Sequence, residues 1–394
     1  MFEQVDPYPG DPILSLNEDF QKDPRTGKVN LSIGIYFDGA GKLPIMRSVS
    51  EANRRVSLAG DAKPYLPMSG LPAYRAQVKA LVFGDGLAGS DRIATIQTIG
   101  ASGALKVGSD FLHRYFPTSE VWISDPSWEN HRVVFEGSGF TVNTYPYYDA
   151  ETGGLRFAEM KSTIQNLPPR SIVLLHACCH NPTGVDLTPG EWSELVPVFK
   201  ERGLIAFIDM AYQGFGEGLD EDAFAPRAFA EAGVASLVAN SFSKNFSLYG
   251  ERCGGLSVVC DTQEECARVL GQLNATIRAN YSNPPTHGAR IISLILSDPE
   301  LHTLWSEELA SMRERIREMR SAIHDGLSAK TEDATLARYL SQRGMFTYTG
   351  LSAVQVERLR AEKGVYLLKS GRMCIAGLNH GNVERVVAAV TDVM

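Results

Sequence analysis

The sequence predicts an α/β fold in two domains. A large domain is built on a mostly parallel central sheet flanked by helices, and a smaller α+β domain accompanies it. Three observations carry this. Apolar runs at Ser171–Cys179, Leu204–Tyr212 and from Ser236 onward alternate with helical patterns in the middle of the chain. Strand–helix–strand–helix–strand implies parallel strands joined by right-handed crossovers. Residues 15–45 and 315–394 instead mix short strands and helices, and are read as one discontinuous small domain beside a large domain of 46–314. Residues 1–14, with Pro7, Pro9 and Pro12 among acids, read as an extended arm of the kind that lies on a neighbouring subunit.

Totals narrow the class. The 394 residues suffice for two domains, and 44% apolar with 21% charged residues is ordinary for a globular enzyme. A net charge of −8 argues against a nucleic-acid binder, which would carry a basic face. No basic-then-apolar leader opens the chain and no run suits a membrane span. The 6 cysteines show no framework spacing, so reduced thiols and a cytoplasmic setting are expected.

Taken in order, Val29–Phe37 alternates apolar and small residues as a strand does, and Ser48–Leu58 looks helical. Lys63–Pro72 is a Pro- and Gly-rich loop carrying the aromatic Tyr65. Arg92–Ile99 is a strand running into Gly100-Ala101-Ser102-Gly103 and then a helix. Small residues between a strand and a helix start leave backbone N–H groups free for an anion, although most such turns are only turns. Val121–Asp125 is a strand followed by a loop presenting Trp128 and His131. Trp128 either stacks on a flat ring or fills core. Thr188-Pro189 opens a helix that stops at Gly203, and a further helix lies within 220–233. Residues 264–280 and about 286–328 are helical. The charges Arg313, Glu314, Arg315, Arg317, Glu318 and Arg320 read as a solvated face. Strands near 344–349, 365–368 and 372–376 and a helix over Val383–Val393 close the chain.

The chemistry gathers at strand ends. Asn181, Asp209 and Lys244 each follow the C-terminal end of a predicted parallel strand, and such ends line one crevice. Lys244 leaves the run Ser236–Asn240 amid Ser241 and Ser243, with Arg252, Gly254 and Gly255 beyond. A partly desolvated lysine loses its proton easily and forms a Schiff base with a carbonyl. Serine hydroxyls and a fixed arginine suit a phosphate. Together they suggest pyridoxal 5'-phosphate (PLP), held covalently and by its phosphate. An exposed Lys and Arg in an ordinary loop would mean nothing, so the other strand ends decide the matter. Arg372, opening a short strand between Gly371 and Gly377, either clamps a carboxylate or pairs with a surface acid. His176-Ala-Cys-Cys-His180 invites zinc. That reading is rejected, because zinc sites use spaced pairs in loops. Alternation along a strand would also send Cys178 and Cys179 to opposite faces.

In combination these residues resemble the fold-type I PLP-dependent aminotransferases of the aspartate/aromatic subgroup, over essentially the whole chain. The motifs are Cys178-Cys-His-Asn-Pro-Thr-Gly184, Asp209-x-Ala-Tyr-Gln-Gly214, Ser241-x-Ser-Lys-Asn245 with Arg252, Arg278-Ala-Asn-Tyr-Ser-Asn-Pro-Pro285 and Gly371-Arg-Met-Cys-Ile-Ala-Gly377. Leu31-Ser-Ile-Gly34, Tyr65-Leu-Pro-Met68 and Gly344-Met-Phe346 look most like the bacterial aromatic-amino-acid (tyrosine) enzymes.

The resemblance implies roles. Lys244 would carry PLP and shuttle the substrate's Cα proton. Asp209 would pair with the pyridine nitrogen, with His131 supporting it. Asn181 and Tyr212 would bind the ring hydroxyl, and Trp128 would stack on the ring. Gly100, Ala101, Ser102, Ser241, Ser243 and Arg252 would surround the phosphate, helped by Tyr65 from a second subunit of a homodimer. Arg372 would clamp the substrate α-carboxylate. Arg278, reaching across the dimer, would meet the second carboxylate of aspartate, glutamate or 2-oxoglutarate. Gly34, Ile13, Ile33 and Phe37, with Ile35 and Ile45, would form an apolar substrate rim favouring an aromatic ring. Two positions depart from the usual pattern: Ala101 where glycine is common, and Asn283, a residue of the aspartate enzymes.

The expected activity is ping-pong transfer of the amino group of tyrosine or phenylalanine, and of aspartate, to 2-oxoglutarate. An aspartate aminotransferase is the alternative of the same class. A C–S lyase or decarboxylase of this fold would not need Arg278. A non-catalytic PLP-sensing regulator would need an attached DNA-binding module, which this acidic chain is read as lacking.

Overall fold

A computed structural model describes residues 2–8 and 10–394. Met1 and Pro9, both within the expected arm, lie outside the described residues. The chain divides into two compact units. The larger comprises Pro44–Arg315 and Gln342–Gly344, and the smaller Met1–Leu43, Ile316–Ser341 and Met345–Met394.

A 7-stranded sheet forms the middle of the larger unit. Across it the strands run Ile93–Ile99, Cys253–Val259, Ser236–Ser241, Ile205–Met210, Ile172–His176, Val121–Asp125 and Val142–Pro146. All are parallel except Cys253–Val259, which runs against both neighbours. The strands Ile172–His176, Ile205–Met210, Ser236–Ser241 and Cys253–Val259 are buried along their whole length. Continuous apolar runs are what a sheet covered on both faces requires. On one face Leu105 and Phe111 of the helix Gly100–Tyr115, with Leu273 and Ile277 of Gln263–Asn280, pack with Phe207, Leu237 and Leu256. Elsewhere in this unit Phe199 of the helix Pro189–Arg202 and Phe229 of Phe224–Glu231 meet edge to face at 5.0 Å. The helix Pro189–Arg202 begins with the capping box of Thr188 and Glu191 and ends at left-handed Gly203.

Register brings the chemistry to one end of this sheet. His176 pairs with Asp209, and Asp209 with Ala239, so the residues that follow these strands emerge together. Because Cys253–Val259 is antiparallel, its first residues arrive at that same end, which brings Arg252 there.

The smaller unit holds two short strand pairs, Val29–Asn30 with Val365–Tyr366 in parallel and Phe346–Tyr348 with Arg372–Cys374 in antiparallel. Its helices include Pro12–Lys22 and Val383–Val393.

Several expectations need correction. The strand expected over Val29–Phe37 is reduced to Val29–Asn30, because only Val365–Tyr366 pairs with it; beyond it the Leu31 N–H donates to the Tyr366 carbonyl and its carbonyl accepts from Cys374, and Phe37 donates to the Ala376 carbonyl. Residues 12–14 are helical, since Asp11 caps the N–H groups of Ile13 and Leu14. No loop separates Ile99 from the next helix: Gly100, at φ 67°, is its first residue. The helical tract after 286 is broken at Asp298-Pro299 into His287–Ser297 and Pro299–Ser328. Arg320 is not on a solvated face. It is 3% exposed and donates to the carbonyls of Tyr339 and Phe346, carbonyls that side-chain patterning cannot foresee. Among the described residues no helix is long and apolar enough to cross a membrane.

Gly254 sits where the antiparallel strand passes the start of the Gly100 helix. A Cβ there would lie 2.6 Å from the carbonyl carbon of Gly100 and 2.7 Å from the carbonyl oxygen of Asn240. Backbone atoms cannot rotate away, so Gly254→Ala should cost about 1–3 kcal/mol of stability. A lowered urea midpoint with an unchanged slope is the expected measurement.

Candidate active site

Asp209, near the end of Ile205–Met210, is 8% exposed. Its Oδ2 accepts a hydrogen bond from Nε2 of His131 at 2.8 Å, and Nδ1 of His131 lies 2.9 Å from the Ser127 hydroxyl. His131 is completely buried in the helix Glu129–Glu136. Burial pushes the Asp209 carboxyl up, but the hydrogen bond from His131, with the charge of Lys244 beside it, outweighs it. The group is held below the ordinary carboxylate range. Asp209 Oδ1 is buried and has no partner among the described residues. A buried ionised oxygen without a donor is costly, which marks the place of a missing N–H or cation.

Lys244 follows the Ser236–Ser241 strand. Its amine stands 4.7 Å from the centroid of the Tyr212 ring. Burial lowers its pKa to about 8, opposed by the charge of Asp209 and aided by that of Arg252. Tyr212 is 7% exposed.

Asn181 follows Ile172–His176, and its N–H donates to Nδ1 of His176 at 3.1 Å. His176 has its pKa pulled down to about 3 by burial and by His131. A neutral imidazole accepting at Nδ1 fixes the Asn181 backbone. Tyr147, His180 and His176 stack in a column at 4.0 and 4.2 Å, and His180 is pinned by Ser124 and Thr183. Trp128 caps the helix of His131 and meets that imidazole edge to face at 5.2 Å.

The third part of the site is built for an anion. Arg252, at φ 53°, binds the Ser243 hydroxyl at 3.1 Å and the Tyr249 carbonyl at 3.0 Å. The Ser243 N–H donates to Ser241 Oγ at 3.2 Å. A Cβ on Gly100 would come within 2.5 Å of the Arg252 guanidinium. The arginine therefore sits at the N-terminus of the Gly100–Tyr115 helix, whose first turn holds Ala101 and Ser102. A cation and a positive helix end facing one point are stable together when an anion lies between them.

In this unit the structure thus draws together Asp209, His131, Lys244, Tyr212, Asn181, Trp128, Ser241, Ser243, Arg252 and Gly100. Tyr65 is 92% exposed. Arg278 is exposed at the end of its helix, hydrogen-bonded to Ser282, which also accepts from Asn283. Ile45 is also exposed. In the smaller unit Arg372 is 1% exposed, donates to the Ser32 carbonyl at 2.7 Å and lies 4.4 Å over the Phe346 ring. Gly34 lets this ring approach, since a Cβ would be 2.8 Å from it. Ile13, Ile33, Ile35 and Phe37 are partly exposed in the same unit.

Sequence reasoning missed Ser127 and the role of His176. Ser127 stands one helical turn before His131, and that spacing was its signal. It also misplaced the cysteines. The strand stops at His176, so Cys178 and Cys179 lie in the bend beyond it, and their sulfurs and an Asp222 oxygen lie within 4.8 Å of one another.

The parts fit PLP without strain of charge. The orphaned Asp209 Oδ1 suits a protonated ring nitrogen, the Arg252–helix junction suits the phosphate, and the lowered Lys244 amine suits an aldehyde. Fold and site together define a PLP enzyme of fold type I.

Comparison with known proteins agrees. The profile of the family described as Aminotransferase class I and II matches residues 26–390. The aromatic-amino-acid aminotransferase of Escherichia coli K12 is 55% identical over 100% of both chains. The aspartate aminotransferase of Pseudomonas aeruginosa is 49% identical, again over 100% of both. A crystal structure of the aromatic-amino-acid aminotransferase of Burkholderia pseudomallei, covalently bound to pyridoxal phosphate, superposes with a TM-score of 0.98 at 49% identity, covering 100% of this chain and 99% of that one. This chain belongs to the class I and II aminotransferases.

Burial lowers the pKa of a base by favouring its neutral form. The reactive fraction of Lys244 in the cofactor-free protein should therefore rise with pH through about 8, below the ordinary lysine value of 10.5. Competitive labelling with an amine-acylating reagent, read peptide by peptide, should put Lys244 well below the exposed lysines. An ordinary profile for Lys244 would contradict its enclosure.

Proposed function

We propose that this enzyme is an aromatic-amino-acid aminotransferase. It takes the amino group of tyrosine or phenylalanine, and of aspartate, and passes it to 2-oxoglutarate in a ping-pong cycle. The observation that carries the reading is the Asp209–His131 pair facing Lys244, with an anion site at Arg252 and Gly100. When bound, PLP supplies the electron sink for breaking a bond at the substrate's Cα.

The chain's own residues do the rest. Asp209, kept ionised by His131, holds a proton on the ring nitrogen. Lys244 secures the cofactor and then, as a free amine with a pKa lowered to about 8, carries the proton to and from Cα. Asn181 and Tyr212 bind the ring hydroxyl, and Trp128 stacks on the ring and excludes water. Ser102, Ser241, Ser243, Arg252 and the backbone at Gly100 and Ala101 hold the phosphate. Arg372 binds the α-carboxylate, with its guanidinium lying over the Phe346 ring. Ile13, Ile33, Gly34 and Phe37 make the apolar surround for the aromatic side chain.

Tyr65 and Arg278 serve the neighbouring subunit of a homodimer. Their exposure supports this, as do the exposed rings of Phe2 and Tyr8 at the N-terminus. Arg278, held outward by Ser282, turns inward for a second carboxylate and stays out for an aromatic ring. A cytoplasmic setting is supported by the cysteines, all free and buried.

Lys244→Ala should leave the unfolding free energy within about 1 kcal/mol of wild type and abolish turnover. Substantial residual activity would overturn the assignment. Arg372→Leu should lower kcat/KM about a hundredfold for every substrate. Arg278→Leu should do so for aspartate and 2-oxoglutarate only; an equal loss with tyrosine would contradict its role.

A further inference from the structure

The larger unit has a second opening, at the other end of the sheet from Lys244. It is a cavity of about 820 Å³ at the starts of the strands Ile205–Met210 and Ser236–Ser241. That volume lies in the range of small-molecule sites. Ser236 opens the strand that leads to Lys244, so about 17 Å of strand separates the two places.

The cavity is apolar inside and cationic at its edge. Phe111, Leu112, Phe116 and Val258 line it. Gly203, Gly233 and Gly271 also line it, and a Cβ added at any of them would meet nothing within 4 Å. Ser236 is 1% exposed, lines the cavity and has a hydroxyl with no partner among the described residues. At the edge stand Arg170, Lys200 and Arg268 against Asp261 and Glu265. Lys200 is committed to the Ala232 carbonyl and Glu265 to the Asp261 N–H. The side chains of Arg170 and Arg268 have no hydrogen bond or ion pair among the described residues. Arg170 also lines an adjoining, more polar cavity of about 410 Å³, so it stands where the apolar and polar spaces meet. Its backbone is left-handed, at φ 67°.

We propose that this cavity is a second ligand site, distinct from the PLP site, for a flat aromatic molecule carrying one anionic group. The ring lies against Phe111, Leu112, Phe116 and Val258. Ser236 donates to a polar atom on the ring system, and the anion binds Arg170 and Arg268. An apolar wall beside unpaired guanidinium groups selects both features at once.

The test uses the PLP-loaded enzyme and the fluorescent aromatic anion 8-anilinonaphthalene-1-sulfonate. Binding should saturate at one probe per chain and persist when 2-oxoglutarate fills the catalytic site. Arg170→Gly removes the cation at a position whose φ favours glycine, so it leaves the fold intact. It should weaken binding about tenfold or more, the scale of one charge-assisted hydrogen bond. Gly271→Trp, which enters open space, should weaken it at least as much while aminotransferase activity stays unchanged. Displacement of the probe by 2-oxoglutarate, absence of saturation, or wild-type affinity in both variants would overturn the proposal.

Discussion

The structure depends most on one buried carboxylate kept ionised. Asp209 sits among apolar strands, where desolvation alone would protonate it. The hydrogen bond from His131 prevents that, and His131 is itself completely enclosed between Ser127, Trp128 and His176. The surrounding histidines divide the labour. His176 stays neutral and holds the Asn181 N–H, and the His180 and Tyr147 rings stack behind it. The other carboxylate oxygen, Oδ1, is buried without a partner among the described residues.

The second constraint is topological. Six strands run one way and deliver Asn181, Asp209 and Lys244 to one end. An anion site there needs a cation that parallel strands alone do not supply. The reversed strand Cys253–Val259 brings Arg252 to the helix that begins at Gly100. The approach is so close that Gly100 and Gly254 have no room for a side chain. Lysine, carboxylate and anion site are therefore three consequences of one sheet order.

Much of this was legible in the sequence. Continuous apolar runs ending in Asn181, Asp209 and Lys244 declare buried parallel strands, and their C-terminal ends declare the crevice. Periodicity says nothing about which backbone groups are left for side chains. That is why Arg320 looked solvated yet serves two buried carbonyls. It also misjudges where a strand stops. Cys178 and Cys179 continue the apolar run but lie beyond its last ladder pair, so the alternation argument does not apply to them. Val29–Phe37 alternates like a strand but finds a partner for only two residues. The direction of Cys253–Val259 depends on its neighbours, so Arg252 could be named from its motif before its position could be derived.

The most direct test of this account is nitrogen-15 NMR of the enzyme loaded with PLP labelled at the ring nitrogen. The ring nitrogen should stay protonated throughout the pH range in which the protein stays folded, and lose that proton in Asp209→Asn. An unprotonated nitrogen in the wild type, or a proton indifferent to Asp209→Asn, would contradict it.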